Sequence, residues 1–234
     1  MRKTLCFIIF TTLMVLLSSC SPAAYGEPDT IPVESQNAYI SSTESEESRG
    51  DSSVAGENGT TDRDNSSAEL TMLFSGTFTV GTDIPPGRYV ITSDDSGNIF
   101  IRSGGRTTMS AILNPYAIER DFGVPSLTAN LGYGYEIEIA GINNVTFTPA
   151  ITELSTTLTT GQWVVGLDIP PGTYDAVKGH GGGGNLFIYP AVGGPANVRE
   201  ILGGSVGVER VRVHLEEGQR IEIWDLPSVI FRQP

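Results

Sequence analysis

No cysteine lies beyond residue 20. The two in the chain, Cys6 and Cys20, both fall near its start. The remaining residues can form neither a disulfide nor a thiolate metal site, which excludes a disulfide-stapled secreted scaffold. Histidine is scarce as well: His180 and His214 stand far apart and do not suggest a zinc site. Beyond Lys3 the only lysine is Lys178. The formal net charge is −13 at pH 7, with eleven acids against two bases in residues 21–70 and sixteen against ten in residues 71–234. Nucleic-acid affinity comes largely from neutralising phosphates, so this balance argues against a nucleic-acid partner. Helical periodicity is nearly absent. One weak candidate, residues 108–119, is interrupted by Pro115. Only one long apolar run exists, Leu5 to Leu17, and its 13 residues are too few to span a hydrocarbon core of ~30 Å.

That run has a context. Arg2 and Lys3 precede it, and Leu17-Ser18-Ser19-Cys20 closes it. Basic, apolar and small-residue regions in this order read as an export signal. The closing tetrapeptide resembles the bacterial lipobox. The resemblance implies cleavage before Cys20, a diacylglycerol on its thiol with acyl chains of the palmitate kind, and a place on the extracytoplasmic face of the cell membrane. Residues 1–19 are then a signal peptide. Each buried CH₂ contributes about 0.8 kcal/mol, and two chains hold a protein on a membrane where one does so only marginally.

Residues 20–70 read as the lipidated cysteine and a disordered acidic linker. Their apolar residues are scattered and keep neither a helical nor a strand period. Such a segment cannot bury enough apolar surface to offset its ordering entropy. Arg49-Gly50-Asp51 within it looks like an integrin-recognition triplet, but three common residues meet easily by chance in a tract of this composition.

The remainder is a duplication. Gly76-Thr77-Phe78-Thr79-Val80-Gly81-Thr82-Asp83-Ile84-Pro85-Pro86-Gly87-Arg88-Tyr89 returns as Gly161-Gln162-Trp163-Val164-Val165-Gly166-Leu167-Asp168-Ile169-Pro170-Pro171-Gly172-Thr173-Tyr174. Further blocks follow in the same order. Asn98-Ile99-Phe100-Ile101 matches Asn185-Leu186-Phe187-Ile188, Gly123-Val124 matches Gly207-Val208, and Ile137-Glu138-Ile139 matches Ile221-Glu222-Ile223. Pro-Pro-Gly cannot continue a strand, and β-favouring residues resume after it. Val211, Val213 and Leu215 alternate with Arg210, Arg212 and His214, as Leu127, Ala129 and Leu131 alternate with Ser126, Thr128 and Asn130. That is the period of half-buried strands. Short strands between Gly/Pro turns predict an all-β chain: two tandem small β-sandwich or jelly-roll-like modules, residues 71–150 and 151–234. The frame Val-Gly-x-Asp-Ile-Pro-x-Gly-x-Tyr is similar to uncharacterised repeats on envelope proteins of Gram-positive bacteria. The resemblance implies a location and an architecture but brings no catalytic residues.

Several constellations invite a chemical reading. His180-Gly181-Gly182-Gly183 resembles an oxyanion loop, and Gly203-Gly204-Ser205-Val206-Gly207 fits a nucleophile elbow, with His214 and Asp225 downstream. An elbow needs a strand before the serine and a helix after it; here a Gly-rich tract leads into a Val/Arg strand, and the partner order differs. Flexible glycine loops between strands are the expected reading, although residues 179–184 are long for a hairpin turn. Asp83 and Asp168 recur, yet a lone Asp before Ile-Pro-Pro is a turn former that bonds nearby backbone N–H groups. Calcium requires six to eight oxygens, which no clustered loop supplies; Asp94-Asp95 has no counterpart in the second copy. Phe78, Trp163, Tyr89, Tyr174, Phe100 and Phe187 recur at matching positions, which predicts core packing. Trp224, Tyr133, Tyr135 and Tyr189 are unmatched and become the candidates for an exposed ligand surface. No residue is assigned a catalytic, cofactor-binding or metal-binding role. The expected function is a non-enzymatic surface lipoprotein, structural or binding, held to the membrane by Cys20 and meeting a cell-wall polymer, glycan or envelope protein. An extracytoplasmic hydrolase and an accessory lipoprotein of a secretion or transport system are the alternatives.

Overall fold

A computed structural model describes residues 63–120 and 122–234. The signal, Cys20, the Arg49-Gly50-Asp51 triplet and the linker to residue 62 lie outside the described residues. What is described is all-β apart from one helical turn. The first module contributes β1 (Thr71–Leu73), β2 (Gly76–Thr79), β3 (Gly87–Ser93), β4 (Gly97–Ser103), β5 (Arg106–Leu113), the turn α1 (Ala117–Arg120), β6 (Leu127–Leu131), β7 (Glu136–Ala140) and β8 (Val145–Pro149). The second repeats the series as β9 (Thr157–Leu158), β10 (Gly161–Val164), β11 (Gly172–Lys178), β12 (Gly184–Tyr189), β13 (Val198–Leu202), β14 (Arg210–Leu215), β15 (Arg220–Trp224) and β16 (Val229–Arg232). The weak helix expected over residues 108–119 is strand in its first half, up to Leu113. β5 alternates buried Met109, Ala111 and Leu113 with half-buried neighbours, and only the turn after Pro115 is helical. Burial of the apolar alternation decides against the helix.

The pairing order is duplicated strand for strand. In the first module β1-β8-β3-β6 faces β2-β7-β4-β5; in the second β9-β16-β11-β14 faces β10-β15-β12-β13. The shared motif explains itself in the turn before β3 and β11. The Asp83 carboxylate accepts from the Thr79 amide at 2.7 Å, and that of Asp168 from the Val164 amide at 2.8 Å. The tyrosine that follows donates its hydroxyl back to the first proline's carbonyl, Tyr89 to Pro85 at 2.9 Å and Tyr174 to Pro170 at 3.1 Å. Each tyrosine then meets a phenylalanine edge-on at 6.1 Å in its own core: Phe147 for Tyr89, Phe231 for Tyr174. Pairs of this geometry add about 0.5–1.5 kcal/mol beyond their buried area.

The modules are fused. β6 runs parallel to β10, with Thr128 opposite Gly161, and this joins β1-β8-β3-β6 to β10-β15-β12-β13 as one eight-stranded sheet. Strand alternation assigns its two faces. Tyr89, Ile91, Leu127 and Ala129 enter the first core, while their neighbours Arg88, Val90 and Thr128 point to the other side. On that other side lies the second core, with Ile221, Ile223 and Trp163. Conversely Trp224, on the outward side of the second module, packs against the first core. The two remaining sheets therefore cover opposite faces of the shared one. Each module leaves its half of the shared sheet bare on one side.

The folded part also begins earlier than the expected boundary at residue 71. Arg63 donates through both terminal nitrogens to the Asp168 carboxylate at 3.0 Å. Asn65 accepts from the Arg88 amide at 2.6 Å and donates to the carbonyls of Arg88 and Ala150 at 3.0 and 3.1 Å. An amide side chain that satisfies three backbone groups fixes this segment, whatever its composition.

Candidate functional site

The bare half of the shared sheet in the second module is an aromatic face. Along β12 the side chains of Leu186 and Ile188 are buried, so Asn185, Phe187 and Tyr189 point outward. Across from them on β15 stand Trp224, Glu222 and Arg220, in that order. The Phe187 and Tyr189 rings lie 6.4 Å apart at 35°. The Arg220 guanidinium stacks on Tyr189, 5.3 Å from the ring centre. Glu222 accepts long hydrogen bonds of 3.4 Å from both the Tyr189 hydroxyl and the Trp224 indole N–H. Partial burial, with the Glu222 charge second, pushes the Tyr189 phenol above its ordinary pKa. Asp225 closes the row at φ 62°, the only non-glycine residue with positive φ among the described residues. Loss of water around its carboxyl raises its pKa.

All of these but Arg220 line an open depression of about 350 Å³. A second one of about 190 Å³ adjoins it at Glu222; Arg220 lines it, and the first module contributes Tyr135 and Asn130. Of the four aromatics proposed from sequence, Tyr189 and Trp224 thus share the platform and Tyr135 borders it. Tyr133 does not belong. It is 78% exposed and packs over the turn at Gly81, beside Asp83 and Pro86. Phe187, expected in the core, is half-buried on the platform, and its counterpart Phe100 is likewise half-buried on the outer face of the first module. Every residue of Leu186-Phe187-Ile188-Tyr189 is apolar, so alternation was invisible there; the polar Asn185 on the same parity was the available signal.

The bare half in the first module forms a larger cleft of about 440 Å³ beneath the connection between modules, and Arg88 and Trp163 line it. Arg88 is 2% exposed. Its guanidinium lies 4.8 Å from the Trp163 ring centre, donates to the Gln162 carbonyl at 2.7 Å and to Asn130 at 3.2 Å, and meets Asp168 at 3.4 Å. Burial lowers its pKa to about 10, although Asp168 counters part of the effect. Because it donates to Gln162 and Asp168 of the second module, Arg88 makes this cleft a joint.

The remaining constellations separate. Ser205 sits between β13 and β14, His214 on β14 lies with Nδ1 3.0 Å from the Thr173 hydroxyl, and Asp225 follows β15 in the other sheet. No hydrogen bond links the three among the described residues. Asp83 and Asp168 serve the turns, as expected. The glycine run is stitched at both sides: Lys178 donates to the Gly181 carbonyl at 2.7 Å, and the Gly179 amide to Ser228 at 2.8 Å.

No family model, curated protein or solved structure matches the chain. The duplication supplies its own comparison. In the first module the same outer positions pair in the same register: Asn98 with Ala140, Phe100 with Glu138, Arg102 with Glu136. There Arg102 lies 5.3 Å from the Phe100 ring centre and pairs with Glu138 at 2.6 Å and Glu136 at 3.3 Å, closing the face with charge. The second module keeps the Asn, the Phe and the first Glu. It has Tyr189 for Arg102, Trp224 for Ala140, Arg220 for Glu136, and Asp225 for Gly141, with φ positive at both, 62° and 78°.

Proposed function

We propose that the protein is a non-enzymatic binding lipoprotein of the bacterial envelope, anchored through Cys20, whose second module holds a saccharide of the cell wall or of an envelope glycan on its aromatic outer face. One observation carries the reading: on a duplicated framework with identical register, the salt-bridged cover of one copy is replaced by an aromatic platform in the other. The first module folds without the exchange, and of the exchanged residues only Trp224 packs against a core. A pyranose presents C–H groups on one face and hydroxyls at its rim. Ring faces carry negative potential and attract such C–H groups, while Asn185, Glu222 and Asp225 offer partners for hydroxyls. A strained Asp where the sister copy has Gly fits a position kept for its carboxylate. The lipobox-like segment and the acidic spacer support display away from a membrane.

The experiment uses the whole chain expressed in a bacterial host. Cells labelled with palmitate should yield labelled protein, and Cys20→Ser should yield none. The extracted protein should be retained on purified peptidoglycan or on neutral oligosaccharide resins. Trp224→Ala should weaken retention at least about tenfold, or roughly 1.4 kcal/mol. Phe100→Ala, on the closed face, should not. Equal retention of the Trp224→Ala protein, or retention of neither, would overturn the saccharide reading.

A further inference from the structure

We propose, building on the saccharide reading, that the ligand is an acidic saccharide whose carboxylate or phosphate seats between Arg199 and Arg220. Residues 71–234 carry sixteen acids against ten bases, so an uncompensated basic pair among them calls for a cause. Arg199 on β13 stands opposite Phe187, and Arg220 on β15 stands opposite Tyr189. β12 runs between them, so the two guanidiniums bracket the aromatic row from both sides. Both are exposed, and both act electrostatically on the Tyr189 phenol. Among the described residues neither has a carboxylate within 4 Å, whereas Arg102, Arg210 and Arg212 are each paired.

The sister copy shows that this charge is an addition. In the first module Arg199 corresponds to Ser110 and Arg220 to Glu136. The closed face there holds one cation, Arg102, against Glu136 and Glu138; the open face holds two, Arg199 and Arg220, against Glu222. Its remaining acid, Asp225, lies at the Trp224 end. The face is therefore polarised, positive beside Tyr189 and acidic beside Trp224. A neutral sugar gains nothing from this polarity. A sugar with an acid group at one edge and hydroxyls at the other matches it. Arg220 is already stacked on Tyr189, so part of its side-chain ordering precedes binding, and guanidinium forks suit carboxylate and phosphate oxygens alike.

The test titrates the whole protein with two matched pairs: tetragalacturonate against its methyl ester, and maltotetraose 6-phosphate against maltotetraose. Each acidic member should bind at least tenfold more tightly than its neutral partner, with the advantage shrinking as salt is raised. A preference confined to one pair tells carboxylate from phosphate. Arg199→Ser and Arg220→Glu install residues the first module already carries at these positions, so folding is retained; a thermal melt checks it. Together they should bring the ratio of acidic to neutral affinity down to about one within each pair. Equal binding of acidic and neutral partners would overturn this inference and leave the saccharide reading standing. Binding of none of the four would sink both.

Discussion

Asp83 and Asp168 begin with the same task, accepting a backbone amide four residues back. They end with different ones. Asp83 is exposed and does nothing more than hold its turn. Asp168 is 1% exposed and its carboxylate also receives Arg63 and Arg88, so one turn residue ties the N-terminal segment, the first module and the second. In the second module the position thus serves assembly as well as local geometry. Removing one member of a buried ion pair leaves the other charge uncompensated, which costs about 3–5 kcal/mol. Asp168→Asn keeps an oxygen for the Val164 amide and strands Arg88. Asp83→Asn keeps the same oxygen and strands nothing, so its cost should stay below about 1 kcal/mol. Urea unfolding of the two variants at neutral pH measures the difference. Equal losses would show that the Arg63–Asp168–Arg88 cluster does not hold the joint.

The joint between elements is a single close approach. Gly161 and Gly76 are equivalent, with φ of 150° and 154°, so an alanine at either carries the same backbone cost. Their surroundings differ. At Gly161 a methyl group would run into the Thr128 carbonyl across the β6–β10 pairing; at Gly76 it would only touch the Phe78 ring at 3.4 Å. Gly161→Ala should therefore destabilise by about 1–3 kcal/mol more than Gly76→Ala, the ordinary penalty for overpacking. Thermal melts of both variants check it, and parity would mean that β6 and β10 are not held together there. The pairing does not propagate to further copies. The edge equivalent to β6 is β14, where Thr128 becomes Arg212, paired with Asp175 at 2.8 Å, and such charged edges resist strand addition. At this scale the sequence was legible where period and turn chemistry agreed, as at Ile221-Glu222-Ile223 and the Asp-Ile-Pro-Pro-Gly turns. It was illegible where both faces of a strand are apolar, as around Phe187, and where an isolated polar residue such as Asn65 finds its partners far along the chain. The aromatic candidates followed the same logic: Trp224 and Tyr189 stood out because the other copy lacks them, while Arg199 and Asp225 carried no local pattern.

Duplication followed by fusion of unlike sheets gives the folded part its cohesion. A module of about 80 residues buries only some 60–65% of its unfolded surface and is marginal alone. Here the second module covers the guanidinium of Arg88 with Trp163, the first receives Trp224 against its own core, and residues 63–65 bind both. Neither module can unfold without exposing the other's joint, and Arg88 would lose its partners in the process. The expectation is one cooperative transition, not two. At about 0.7 kcal/mol per residue near 60 °C, the described part should melt with a van't Hoff enthalpy of roughly 120 kcal/mol, against roughly 60 for a module melting alone. Scanning calorimetry gives both the van't Hoff and the calorimetric values, which agree only for an all-or-none transition. Two resolved peaks, or a van't Hoff value near half the calorimetric one, would mean that the shared sheet does not couple the modules; the aromatic face would then be held by the second module alone, and Tyr135 would have no fixed place at its border.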